Sequence, residues 1–146
     1  MTRKKRPSFD DTFFDMTKVL SRRATCPRKS VGCIIVDDYN SIVAAGYNTA
    51  PLGMPTCLDV GCIDEGGHCV RVVHAEINAL ASAARRGISL KGCTAYCTLL
   101  PCIQCAQALS TAGIGAVMYD EVYEREEAQT LRLLVGQLNL RLIGRK

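Results

Sequence analysis

The segment His68 to Leu80, HCVRVVHAEINAL, holds both histidines of the chain, with a cysteine beside the first and a glutamate two positions after the second. A second segment, Leu99 to Cys105, LLPCIQC, sets Cys102 and Cys105 three positions apart behind a proline. Sulfurs at that spacing share one face at the start of a helix, where the positive end of the dipole favours thiolates. His74, Cys102 and Cys105 therefore offer one imidazole and two thiolates, a donor set of the kind zinc takes. A structural site closes with a fourth protein ligand. A catalytic one leaves that position to water, whose pKa then falls toward neutrality. Glu76 follows His74 within the same helical turn, where a carboxylate can accept a proton beside the open position without binding the metal. Ala75, between the two, is a candidate substrate contact.

H-x-E followed by P-C-x-x-C is the signature of zinc deaminases that act on nucleobases. Either half alone is weak, since C-x-x-C also occurs in redox and purely structural zinc sites. The composite, with each half opening a helix, is specific. The chemistry it implies is hydrolytic. Activated water attacks the ring carbon that bears the amine. Glu76 takes the water proton, hands it to the adjacent ring nitrogen and then protonates the leaving amine. Ammonia departs, a carbonyl remains, and no organic cofactor is required.

Five more metal-type residues lie upstream of His74: Cys26, Cys57, Cys62, His68 and Cys69. Any four of them would make a closed tetrahedral site, a second and structural zinc. The alternative is a group of free cysteines in a buried loop. Cys33, Cys93 and Cys97 fall inside apolar runs and read as core residues.

These residues need elements to position them. Phe9 to Arg23 reads as a helix, with Phe13, Phe14, Thr17 and Leu20 on one stripe. Val31 to Val36 and Ser41 to Gly46 read as a hairpin around the turn DDYN. The stretch from Thr49 to Cys69 has prolines, glycines and no periodicity, so it reads as a long loop that a metal would order. His74 to Arg86 turns helical, with Ile77, Leu80, Ala81 and Ala84 at helix spacing and Gly87 as the stop. CTAYCTL is a strand, and PCIQCAQALSTAG a helix with Pro101 in its first turn. IGAVMYD is a strand, Glu124 to Val135 a helix, and LNLRLIG a last strand. This alternation predicts a layered α/β domain with helices on the sheet faces.

With 146 residues, 48% hydrophobic and 22% charged, the chain suits one globular domain. We expect residues 1–8 to be a flexible basic tail and 9–146 a single zinc deaminase domain. No apolar run is long enough to cross a bilayer, and no secretory signal follows the basic start, so the expected location is the cytoplasm. Nine cysteines in a reducing compartment point to metal rather than disulfides. Arg3, Lys4, Lys5 and Arg6 supply charge equal to the net +4. The remaining body is near neutral, which argues against a broad nucleic-acid groove.

VHAEINAL together with PCIQC is similar to the cytidine-deaminase-like superfamily. VGCIIVDDYNSIVAAGYN and the extra cysteines resemble its bacterial and phage dCMP (deoxycytidylate) deaminases, including the competence-operon branch. The resemblance covers about Cys26 to Tyr119. It implies a three-layer α/β/α fold with a mixed sheet of about five strands, zinc on His74, Cys102 and Cys105, and Glu76 as proton shuttle. It implies conversion of dCMP to dUMP and ammonia for thymidylate supply, with Asn48 bonding the deoxyribose. Phage relatives with a second zinc have ligands matching Cys26 and Cys57, and the rest just before the catalytic histidine, which fits His68 or Cys69. The resemblance also implies a hexamer, activated by dCTP with magnesium and inhibited by dTTP. Many relatives read GYNG before a proline. Here Thr49 and Ala50 replace the glycine and its neighbour, and a Cβ there can block close approach or a positive φ. That departure bears on regulation, not on catalysis. For the substrate phosphate, Arg28, Lys29, Ser30, Tyr123 and Arg125 are the candidates.

The nearest rival is a tRNA adenosine deaminase, which shares both motifs but must hold RNA with basic and aromatic surface. The chain has no tryptophan and 5% aromatics. A free-cytidine deaminase usually has cysteine where His74 stands. An inactive binding or assembly protein would not need all four catalytic residues.

Overall fold

The computed structural model describes residues 4–123 and 125–146, and of residues 125–127 the backbone alone. Helix α1 (Phe9–Ser21) starts at Ser8, whose hydroxyl oxygen accepts from the Asp11 N–H. Phe13, Phe14 and Thr17 face inward, which is the stripe the sequence predicts. The hairpin β1 (Gly32–Val36) and β2 (Ile42–Tyr47) follows. Its turn is held by Asp37, whose carboxylate accepts from the N–H groups of Tyr39 and Ser41.

The region expected to be a long, aperiodic loop contains three short elements. These are α2 (Cys57–Val60), β3 (Asp64–Glu65) and β4 (His68–Cys69). Thr56 and Asp59 form a reciprocal capping box on α2. Arg71 donates to the carbonyls of Gly61 and Pro55 at 3.1 and 3.4 Å. Elements this short leave no periodic signal, because side-chain cross-links order them rather than a buried face.

Then come α3 (Ala75–Arg85), β5 (Thr94–Leu99), α4 (Ile103–Thr111), β6 (Ala116–Glu121), α5 (Arg125–Val135) and β7 (Arg141–Gly144). The main sheet has five strands in the order β2-β1-β5-β6-β7. β1 runs antiparallel to β2 and β5, while β5, β6 and β7 are parallel. The mixed sheet of the expected α/β/α fold is thus present. Helix α1 packs with Ile34, Val36 and Tyr96 on one face. Residues of α3, α4 and α5 pack with Ile35, Cys97 and Val117 on the other. Cys33, Cys93 and Cys97 are buried core residues, as expected. No helix among the described residues is long and apolar enough to cross a membrane.

Two sequence expectations are corrected here. The most deeply buried residues of α3 are Ala75, Glu76, Ala79 and Ala83, while of the spaced set Ile77, Leu80, Ala81 and Ala84 only Leu80 packs on the core, and in part. The cause is a close helix–sheet approach. A Cβ on Gly46 of β2 would run into the Ala75 carbonyl and the Ala79 amide, so small residues face the sheet and larger ones are displaced to the flank. Pro101 is not in the first turn of α4. Cys102 is the N-cap, and the proline precedes it, where its fixed φ directs the chain into the cap.

Thr49 is accommodated without strain. Its N–H and carbonyl pair with Val73 in an isolated antiparallel bridge. Among the described residues, Asn40 is the only non-glycine with a positive φ, so position 49 does not require glycine.

Candidate active site

The parallel strand β5 ends at Leu99, and its chain passes directly into the N-terminus of α4. Helix α3 begins at the same end of the sheet, where open α/β folds place their ligands. His74 is the N-cap of α3 and Cys102 the N-cap of α4. The His74 Nδ1 lies 3.3 Å from the Cys105 Sγ and 3.6 Å from the Cys102 Sγ. The three donor atoms lie within 4.8 Å of one another. The Cys105 N–H donates to the Cys102 sulfur at 3.4 Å, a use of the free amides at a helix start.

The protonation pattern follows from this crowding. The hydrogen bond with the Cys105 thiol, together with the His74 ring, brings Cys102 down to about 4 against the opposing effect of burial. The same bond and burial push Cys105 well up. Of the two sulfurs, Cys102 is thus the one that its surroundings favour as a thiolate. The Cys102 thiolate raises the His74 imidazole. Metal ligation needs deprotonated sulfurs and a neutral imidazole, and one nitrogen with two sulfurs at this spacing would suit zinc.

Glu76 is only 4% exposed. Burial pushes its carboxyl above the ordinary value, opposed by its own backbone N–H and by His74. A buried carboxyl with a raised pKa can both accept and return a proton. Ala75 is fully buried beside it.

His74, Ala75, Glu76 and Cys102 open into a cavity of about 200 Å³. Leu99, Leu100 and Pro101 lie along it, as do Ala128 and Leu131 of α5. Asn48, Arg28, Lys29 and Tyr123 also line it, whereas Ser30 does not. The Lys29 ammonium sits over the Tyr123 ring, 2.9 Å from its centroid. The side chain of Arg125 lies outside the described residues.

Of the five upstream candidates, the structure brings Cys57, Cys62 and Cys69 together, with sulfurs within 4.8 Å of one another. Cys57 and Cys69 are 3.5 Å apart. Burial pushes the Cys57 thiol up to about 12. Burial also works to raise Cys69, but the Arg71 and Ile63 amides at its sulfur, with the Cys57 and Cys62 thiols, together bring it to about 7. Amides aimed at a sulfur favour the thiolate a metal needs. Cys26 and His68 are not in this three-sulfur group but line the cavity beside Cys69.

The sequence reading missed two positioning residues, Asn78 and Arg71, and it named Asn48 as a sugar contact without the clamp that holds it. Asn48 is clamped at both ends of its amide: Oδ1 accepts from the Val31 N–H at 2.7 Å and Nδ2 donates to the Lys29 carbonyl at 2.9 Å. Asn78 donates to the carbonyls of Tyr47 and Val73 at 2.9 and 3.3 Å, fastening α3 to the end of β2. Arg71 straps α2 as described. A polar residue one turn after His74 was the only local signal for Asn78, and its bond to Tyr47, like the Asn48 clamp, joins segments well apart in sequence.

Over residues 7–121 the sequence matches the cytidine and deoxycytidylate deaminase zinc-binding region, and the chain belongs to that family. It is 40% identical over 119 residues to ComE operon protein 2 of Bacillus subtilis, covering 82% of this chain and 62% of that protein. It is 33% identical over 128 residues to the deoxycytidylate deaminase of Saccharomyces cerevisiae, covering 84% of this chain and 40% of the yeast protein. The chain therefore spans less than two thirds of the length of these curated relatives. The crystal structure of the dCMP deaminase of cyanophage S-TIM5 in complex with dCMP and dUMP superposes with a TM-score of 0.81 at 28% identity, covering 97% of this chain and 99% of the phage chain.

Proposed function

We propose that this chain is a zinc-dependent deaminase that hydrolyses dCMP to dUMP and ammonia, a step that supplies a thymidylate precursor. The observation behind the reading is the buried Glu76 carboxyl, set in one cavity with the His74 imidazole and the Cys102 sulfur, with the Cys105 sulfur within 4.8 Å of both donors. His74, Cys102 and Cys105 would hold the zinc, which when bound acts as a Lewis acid and lowers the pKa of water toward neutrality. Glu76 takes a proton from the attacking water and gives it to the ring nitrogen next to the reacting carbon. It then takes the proton of the new hydroxyl on that carbon and passes it to the departing amine, which leaves the carbonyl. The N–H of Ala75, in the first turn of α3, would donate to the base. Asn48 has one amide hydrogen beyond its bond to Lys29, and that hydrogen would serve the deoxyribose. Lys29 and Tyr123 at the cavity wall would meet the phosphate.

A second zinc on Cys57, Cys62 and Cys69 is part of the same proposal, with Cys26 as the fourth ligand. Adjacent strand residues point to opposite faces, so His68 turns away from the side on which Cys69 meets Cys57. The resemblance to dCMP deaminases supports a hexamer activated by dCTP with magnesium and inhibited by dTTP. The Thr49–Ala50 segment is where that response would depart from the relatives. A single deaminase domain over 9–146 and a reducing, cytoplasmic setting that preserves its free cysteines complete the reading. The only aromatic ring other than imidazole among the described cavity residues is Tyr123, so an RNA-stacking substrate gains no support from these walls.

The test is turnover of dCMP, deoxycytidine, CMP and dCTP side by side, with zinc content measured on the same sample. A strong preference for dCMP is expected. Zinc-loaded protein inactive on all four would overturn the reading.

A further inference from the structure

The chain between α1 and β1 has no regular secondary structure from Ala24 to Val31, yet it supplies Cys26, Arg28, Lys29 and Val31 to the cavity wall. A wall of that kind is as precise as whatever holds it. From inside, Asn48 clamps Lys29 and Val31. From outside, the Arg28 guanidinium reaches across to the β3–β4 turn. Its Nη1 donates to the Asp64 carboxylate at 3.0 Å and to the Gly67 carbonyl at 3.4 Å. The other Asp64 oxygen accepts from the Gly67 N–H at 2.9 Å, which stiffens the same turn. That turn is continuous with Cys69 and so with the cysteine cluster. Arg28 thus has its charge directed at the cysteine turn, while Lys29, the next residue, faces Tyr123.

We propose that Arg28 is a positioning residue. It straps the 26–31 wall to the cysteine turn, so that the turn sets the affinity of the cavity for a phosphate-bearing ligand. This rests on the dCMP reading above and assigns its phosphate recognition a support. The cysteine cluster becomes a determinant of specificity as well as of stability. Arg28 does not itself touch the phosphate; it fixes the backbone from which Lys29 projects.

Asp64 makes the proposal testable, because it holds Arg28 without itself lining the cavity. The experiment measures kcat and KM for dCMP and for deoxycytidine, with zinc content, in the full-length zinc-loaded protein and in Asp64→Asn, Arg28→Ala and the double variant. Each single substitution is expected to lower the dCMP-to-deoxycytidine ratio of kcat/KM by about fivefold, the scale of an exposed ion pair with a second hydrogen bond. The Asp64→Asn loss should appear in KM for dCMP, at unaltered zinc content. The double variant should be no worse than either single one, since both break one link. An Arg28→Lys variant should recover part of the ratio. If Asp64→Asn is silent or improves dCMP use while Arg28→Ala impairs it, Arg28 contacts phosphate directly and the proposal is overturned. Loss of zinc in Asp64→Asn would also overturn it, as a structural effect. Unsubstituted protein with no preference for dCMP would overturn the dCMP reading itself, a failure visible before any variant is made.

Discussion

The two cysteine groups differ in what holds their ligands. His74 and Cys102 cap helices of 11 and 9 residues, and Cys105 lies in the first turn of the second, on a sheet core that includes Ile35, Val117 and Leu109. Cys57 and Cys69 sit on elements of four and two residues, with Cys62 between them. Around that second group Leu58, Val60, Ile63 and Val70 are exposed. The first group is preorganised by the fold. The second lies where the fold supplies little buried surface, so a bound metal there would organise the chain rather than the reverse.

The largest effect expected on the preorganised centre is chemical. Replacing Glu76 by Gln keeps the shape of the side chain and removes its proton acceptor. Turnover should fall by about a hundredfold to ten-thousandfold, with zinc content retained. A Glu76→Gln protein with wild-type turnover would remove the basis of the mechanism.

The comparison breaks if the two groups respond alike to loss of a ligand. Cys102→Ala and Cys57→Ala should each lower zinc content by about one per chain. Only Cys57→Ala should open the 49–71 segment to limited proteolysis, and only Cys102→Ala should abolish turnover outright. Equal protease resistance in the two variants would show that the short elements stand without a metal.

A smaller effect sharpens the claim that packing holds the first group. Gly46→Ala places a methyl against the Ala75 carbonyl and the Ala79 amide. Helix α3 must shift, at a cost of about 1–3 kcal/mol in unfolding free energy. His74 and Glu76 shift with it, so activity should fall while the cysteine turn keeps its protease resistance. A denaturant midpoint unchanged from wild type would show that α3 is not pinned there.

Much of this contrast was legible in the sequence because the first group obeys local rules. His74, Glu76, Cys102 and Cys105 are read from two short motifs, and Phe13, Phe14 and Thr17 or the β1–β2 hairpin from periodicity alone. What was not legible depends on contacts across the chain. The inward face of α3 is set by Gly46, nearly thirty residues upstream, so alanines win over Ile77 and Leu80. The clamp on Asn48 and the Arg28–Asp64 link join segments with no shared pattern. The small helix and hairpin at 57–69 are too short for any period to register.

The smallest expected effect lies on the opposite face of the sheet, away from both groups. There the Arg145 guanidinium pairs with Asp11 at 3.1 Å and sits over the Phe14 ring, tying the chain end after β7 to α1. The Ser8 hydroxyl and then Arg145 hold the Asp11 carboxyl below its ordinary value of 3.8. A carboxyl depressed in the folded state binds its proton less readily than in the unfolded chain. Its contribution to stability is therefore fully present above the ordinary carboxylate pKa and is lost as pH falls through the lowered folded value. Asp11→Asn should lose this contribution at neutral pH, so the gap in stability between the two proteins should be flat from about pH 5 to 8 and close below about pH 4. Because low pH also protonates metal ligands, the comparison belongs in chelator at matched pH, where only the brace differs. A gap that stays constant down to pH 3 would show that Arg145 draws nothing from the Asp11 charge.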